Sequence, residues 1–300
     1  MSRARAPGKV VVSGAYAVLA GAPAIVTAVS RYVVADSERP AELVTPEVQA
    51  ALRADEVAPW FDASALRAGD RKLGLGSSAA ILVASLYALE HDAARSASEA
   101  EHRLRVFERA LTAHREAQAG GSGVDVASST FGGTLSYRLA PTGPAFAPLS
   151  LPPQLSLEVW TCPVSASTRE LLDAVARLRQ RAPAEHERLL GAQALASERA
   201  LQAAQSADAA GLIAALREQH HALVALGRAA GATIVTPELS ELAPAAEAQG
   251  GVLLPAGAGG GDIALFAGTS RSTPELREAL AARAHLELHV ELAAPGVGLG

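Results

Sequence analysis

The chain of 300 residues contains one cysteine, Cys162. No disulfide can close within it, and a reducing, cytoplasmic compartment is the expected setting. Lysine is almost as scarce. Lys9 and Lys72 are the only two among 26 basic residues, and arginine supplies the rest. Both lysines lie beside glycine-bearing stretches, which invites a functional reading, with chance placement as the alternative. An excess of positive charge is missing too. A formal net charge of −5 with mixed signs speaks against nucleic acid or an anionic membrane as the main partner. Also lacking is an unbroken apolar run. Val10 to Val29 carries no charge and follows Arg3, Arg5 and Lys9 in the manner of a signal peptide, but Gly14, Gly21 and Pro23 interrupt it. It reads as a strand over 10–13, a turn, and a second strand over 24–29, with no membrane span.

What is present is apolar bulk. At 49% hydrophobic, 300 residues bury a large core and commonly divide in two. The proline-rich joint from Pro141 to Pro153 puts the expected boundary between residues 1–150 and 151–300.

The stretch Gly74-Leu75-Gly76-Ser77-Ser78-Ala79-Ala80 feeds an apolar helix beginning near Ile81. Its glycines permit a tight turn close to a ligand, and the helix N-terminus offers unpaired N–H groups that suit a phosphate. A plain Gly turn with Ser77 or Ser78 as helix cap is the alternative. No lysine follows the second glycine, so this is not a Walker loop. It matches G-x-G-x-x-A, but residues 61–72 are too charged for the buried strand that a dinucleotide site requires, and Glu90 and Asp92 come too early.

Further along, Ser98 and Glu101 predict a capping box on a long helix starting near Ser96, with Leu104, Phe107 and Leu111 on its core face and Gly120-Gly121 as its stop. Asp125 opens an apolar segment after the turn Gly120-Gly121-Ser122-Gly123. It either satisfies a helix N-terminus or serves as a partly buried base, with Lys9 as candidate counter-charge. A strand over 155–161 is followed by a helix to about Arg181, capped by Ser167 and Glu170. Arg169 sits in the first turn, where the macrodipole disfavours a cation; a bound anion reverses that, and we read this as a substrate-phosphate site. Helices follow over 184–207 and 208–230. His220 and His221 have no further Cys or His at ligand spacing and read as ordinary helix residues. Finally, strands over 251–255 and 263–268 flank Ala256-Gly257-Ala258-Gly259-Gly260-Gly261-Asp262. That loop has more glycine than a hairpin needs, which suggests backbone against a ligand. A helix over 274–284 and a strand over 286–292 complete a βαβ-like module.

Together these segments resemble the GHMP family of small-molecule kinases along the whole chain. The resemblance rests on Pro7-Gly8-Lys9 with Ser13-Gly14-Ala15-Tyr16, on Gly74-Leu75-Gly76-Ser77-Ser78-Ala79, and on Gly257-Ala258-Gly259-Gly260-Gly261, in the family's order and spacing. Two departures stand out. The family usually has an acid where Ala15 stands, and its mevalonate-acting branch has a metal-binding Glu where His114 stands.

The resemblance implies an α+β fold, with an N-terminal domain like ribosomal protein S5 domain 2, a C-terminal ferredoxin-like domain and a cleft between them. It implies ATP and Mg²⁺, with a small-molecule phosphate acceptor and a monomer or homodimer. By carry-over, Lys72, Gly74, Leu75, Gly76, Ser77, Ser78 and Ala79 bind the nucleotide, Ser78 is the magnesium ligand, and Lys9 and Asp125 are catalytic. Ser122, Gly123, Ser165, Ser167, Thr168, Arg169, Gly259, Gly260 and Gly261 contact the substrate. The expected reaction is ATP-dependent phosphorylation of mevalonate 5-phosphate to the diphosphate. Mevalonate or another small alcohol or sugar is the alternative acceptor. A silent nucleotide- or metabolite-binding regulator is the alternative of another class.

Overall fold

The computed structural model describes residues 3–90, 98–118, 120–165 and 167–300. Contacts divide the chain into two units, neither of them a continuous stretch. The first holds residues 1–10, 26–135 and 290–300, the second 11–25 and 136–289.

In chain order, β1 (Arg3–Ser13) and β2 (Pro23–Pro40) precede α1 (Pro46–Ala51), β3 (Pro59–Asp62), β4 (Arg67–Ala68) and β5 (Arg71–Lys72). Both long strands exceed the expected bounds, because their polar ends pair as well as their apolar middles. In β1 the Arg3-Ala4-Arg5-Ala6 alternation exposes the arginines and buries the alanines, the period of a half-buried strand. Arg3 faces Asp36 at 3.4 Å and Arg5 lies over the Tyr32 ring. Next come α2 (Ser77–Glu90), α3 (Glu99–Ala117), α4 (Val124–Phe131), β6 (Thr134–Ala140) and β7 (Gly143–Pro148); β7 occupies much of the expected joint. Near the end of the chain lies β12 (Gly298–Leu299), and the sheet runs β12-β1-β2-β6-β7, with β3 beside β2.

Helix α2 is buried on every side except at Ser78 and Leu89, as its unpatterned apolar sequence requires. Its terminal Glu90 is also buried, with Arg109 of α3 2.8 Å away. Ser98 forms the full capping box with Glu101; the expected start at Ser96 lies outside the described residues. Phe107 and Leu111 are buried, but Leu104 is 46% exposed. The buried face is carried by His102, Val106, Ala110, Ala113 and His114 instead.

The second unit contains β8 (Ser156–Thr161), α5 (Thr168–Arg181), α6 (Pro183–Gln205), α7 (Ala209–Ala230), α8 (Pro237–Ala248), β9 (Val252–Pro255), β10 (Ile263–Gly268), α9 (Pro274–Ala281) and β11 (Leu286–Leu288). Its sheet runs β11-β8-β10-β9, with every neighbouring pair antiparallel. Strands β10 and β11 are therefore parallel to one another with β8 between them, so the expected βαβ unit is a split one. Helices then strand β9 follow β8, which makes the whole a ferredoxin-like βαββαβ order. The expected cap on α5 is half formed: the Ser167 side chain accepts from the Glu170 N–H, without the reciprocal bond of a capping box. Among the described residues no helix is long and apolar enough to cross a membrane.

Candidate active site

In the first unit, the segment Pro7-Gly8-Lys9 is the hub. The Lys9 N–H donates to the Leu75 carbonyl at 2.8 Å, and Ser129 of α4 donates its hydroxyl to the Pro7 carbonyl at 2.9 Å. Gly8 admits no side chain, since a Cβ there would lie 2.4 Å from Leu66 Cδ2 and 2.9 Å from the Leu75 carbonyl oxygen. The strand bearing Lys9 is thus tied both to the glycine loop and to the helix bearing Asp125.

The loop itself has Gly74 at φ 72° and Gly76 at φ 77°, which glycine adopts at no steric penalty. Above Gly76 lies the Lys9 stem: a Cβ there would sit 2.9 Å from Lys9 Cε. The first helical bond of α2 runs from Ala80 N–H to the Gly76 carbonyl. The N–H groups of Ser77, Ser78 and Ala79 therefore have no acceptor within the helix. Ser77 is buried and Ser78 half-buried, whereas the Leu75 and Ala79 side chains belong to the core, so those two residues present only backbone. Lys72, on β5, is exposed.

Asp125 lies in the first turn of α4 after Gly123, whose φ is 76°. Its Oδ1 accepts from the Val126 N–H at 3.0 Å. Buried His114 stands 3.6 Å from the same Oδ1 through Nε2, while its Nδ1 has no hydrogen-bond partner. Ser122 accepts from the Val124 N–H at 3.4 Å. A histidine as the neighbour of Asp125 was not anticipated from the sequence, although His114 was singled out there.

The second unit holds the other candidates. Ser165, Ser167, Thr168 and Arg169 are exposed at the start of α5. Ser165 donates to Asp262 Oδ1 at 3.0 Å, which joins that loop to the end of the glycine run. The run also explains part of its own composition. A Cβ on Gly259 would lie 2.1 Å from the Ile234 carbonyl oxygen, and one on Gly261 2.5 Å from that of Val164. At these two positions the protein's own backbone is enough to require glycine. Gly260 donates to the Ile234 carbonyl at 2.8 Å, and around Gly257 the space is open.

Tyr16 and Gln219 were missed by sequence reasoning. Gln219 of α7 accepts from the Gly14 N–H at 2.9 Å and donates to the Ser13 hydroxyl at 2.8 Å. Tyr16 has φ 61° and ψ −49°, and the Ala17 N–H bonds the Ala15 carbonyl across it at 2.7 Å. This is a γ-turn of the rare positive-φ kind, a strain of about 1–3 kcal/mol that its surroundings must hold in place. A cavity of about 780 Å³ lies between Tyr16–Ala20 and helices α5 and α6, bordered by Leu172, Val175 and Leu190; none of the residues singled out as site candidates lines it. Among the described residues no group of three or more His, Cys, Asp or Glu is placed to hold a metal.

Comparison with known proteins identifies this architecture. Residues 62–133 match the N-terminal domain of the GHMP kinases. A phosphomevalonate kinase of Streptomyces sp. (strain CL190) is 34% identical over 239 residues, which cover 72% of this chain and 63% of that protein. The chain belongs to the GHMP kinase family. The match to the curated relative thus spans a little under two thirds of that relative's length. Over nearly its full length this GHMP kinase chain also superposes on a Lin0012 protein from Listeria innocua, at 26% identity and a TM-score of 0.81, covering 99% of both chains. Streptococcus pneumoniae phosphomevalonate kinase in complex with phosphomevalonate and AMPPNP shares the fold at a TM-score of 0.80 and 17% identity, covering 97% of this chain and 100% of that one.

Proposed function

We propose that this chain transfers the terminal phosphoryl group of ATP to mevalonate 5-phosphate, giving mevalonate 5-diphosphate. The observation that carries the reading is the Lys9 stem lying across Gly76, the residue that immediately precedes the Ser77, Ser78 and Ala79 amides at the head of α2. A cation next to amides without helical acceptors is a cradle for phosphate. Phosphoryl transfer asks mainly for in-line placement and charge neutralisation, which such a cradle supplies. The similarity to the Streptomyces phosphomevalonate kinase supports the choice of acceptor.

On this reading residues 1–150 chiefly hold nucleotide and 151–300 chiefly hold the acceptor, in a monomer or homodimer. Lys9 neutralises charge on the transferring group, and Asp125 positions the acceptor oxygen together with Ser122 and Gly123. Ser165, Ser167, Thr168 and Arg169 hold the acceptor's phosphate, with the Gly259–Gly261 backbone alongside. The donor set suits Mg²⁺ arriving with ATP: one half-buried hydroxyl, Ser78, and, among the described residues, no carboxylate cluster, for an ion that keeps waters and leans on substrate phosphates. Bound there, it would supply further charge neutralisation.

An acceptor panel tests the proposal. Purified protein with ATP and Mg²⁺ is expected to turn over mevalonate 5-phosphate and to spare mevalonate. Turnover of mevalonate alone moves the reading to mevalonate phosphorylation. ATP binding without turnover on any acceptor supports a silent regulator, the reading that Ala15 favours.

A further inference from the structure

Tyr16 belongs to no catalytic group considered above, yet it occupies the most strained backbone position of its neighbourhood. The tip of the first motif is fixed from behind. Gln219 grips both Ser13 and Gly14, and Gly14 at φ 91° has no room for a side chain, with Pro23 O 2.4 Å from a Cβ placed there. The chain leaves this clamp through the γ-turn, and the turn drives the Tyr16 ring into the core. The ring is 5% exposed and packs in one cluster with Leu171, Leu178, Leu223 and Ile234, against which Ala258 also rests. Its hydroxyl then donates to the Ala258 carbonyl at 2.6 Å.

Ala258 is the middle of the glycine-rich loop. On one side Ala256 is held by Ile263, and on the other Gly260 is held by Ile234 and Asp262 by Val164. Between those anchors Gly257 stands in open space at φ 77°, and glycine gives the chain there the freedom to move. The Tyr16 hydroxyl adds a directed hydrogen bond to this stretch, beside the packing of Ala258 on the apolar cluster. Burial holds that hydroxyl protonated well above its ordinary range, so it stays a donor at any working pH.

We infer that Tyr16 is a positioning residue: its strained turn aims a hydroxyl that pre-sets the Gly257–Gly261 loop for a phosphate-bearing ligand. The inference rests on the proposed phosphoryl transfer for the identity of that ligand, but not for the latch itself. A strained residue persists where its surroundings over-determine it, and such residues serve pre-organisation.

Tyr16→Phe keeps the ring and removes the hydroxyl. Hydrogen exchange on the protein without nucleotide or acceptor is expected to show loop amides 257–261 exchanging about five- to tenfold faster, the scale of one net hydrogen bond. The amides of β9 and β10 should be unchanged. Loop exchange that stays at the wild-type rate overturns the inference. So does a uniform rise across loop, β9 and β10, which would make Tyr16 a stability residue only. With whichever acceptor the panel identifies, KM should rise by about the same factor while kcat falls less, since the lost order acts on binding. A protein inactive on every acceptor refutes the proposed reaction and leaves the exchange result standing.

Discussion

His114 Nε2 lies 3.6 Å from Asp125 Oδ1. Oδ1 also accepts from the Val126 N–H. This arrangement suits orienting a substrate more than stripping a proton from it. A phosphate acceptor has already lost its second proton near neutral pH, at a pKa of about 6. Asp125→Asn is therefore expected to lower kcat by less than about 10² with mevalonate 5-phosphate, against about 10²–10⁴ for an alcohol acceptor that needs a base. Steady-state rates on both acceptor types check this, and a loss above 10³ on the phosphate would refute the positioning role.

Gly76→Ala separates activity from stability. Forcing a side chain to φ 77° costs about 1–2 kcal/mol, and the atom it meets is the flexible Lys9 stem, which yields by moving. The displaced ammonium should lower kcat/KM by about 10², while urea unfolding shows only the modest strain. Near-wild-type activity with that same stability loss would show that Lys9 placement does not matter.

Gly132→Ala acts at the return of the chain terminus. Its Cβ would lie 2.0 Å from the Gly296 nitrogen, at φ 69°, and backbone cannot swing aside as a lysine does. A loss of about 3 kcal/mol or more is expected in urea unfolding, in the range reserved for strain plus overpacking. Gly296→Ala should behave alike, since its Cβ would meet the Thr130 carbonyl oxygen at 2.3 Å. The double variant should lose less than the sum.

His220 governs part of the acid sensitivity. Burial pushes its imidazole from 6.5 down to about 4; the His221 charge adds to this and Glu247 opposes it. Because the unfolded chain takes up the proton first, the contribution is full above pH 6.5 and is lost as pH falls towards 4. The total is about 3 kcal/mol. Urea midpoints measured from about pH 7 to about pH 4 should fall more steeply for the wild type than for His220→Leu. Parallel slopes would remove His220 from the account.

Signals carried within a few residues could be read without coordinates. The Ser98–Glu101 box, the helices split at Asp208, and the strand–glycine–strand order around Gly257–Gly261 all depend on neighbours in the chain. What stayed hidden depends on partners far away. Tyr16 is turned by a clamp whose other half, Gln219, lies 205 residues from Gly14. The glycines at 259 and 261 also answer to the carbonyls of Ile234 and Val164, which nothing local in the sequence announces. In α3 the pattern misled at Leu104, because two histidines, His102 and His114, lie on the buried face where apolar residues are expected.

The segment 290–300 completes the unit that the first ten residues begin: β12 pairs with β1, Val29 with Leu292, and Gly132 with Pro295. A ribosome releases those closing residues after every other part of both units. Without that segment the outer edge of β1 lacks the strand that covers it in the fold.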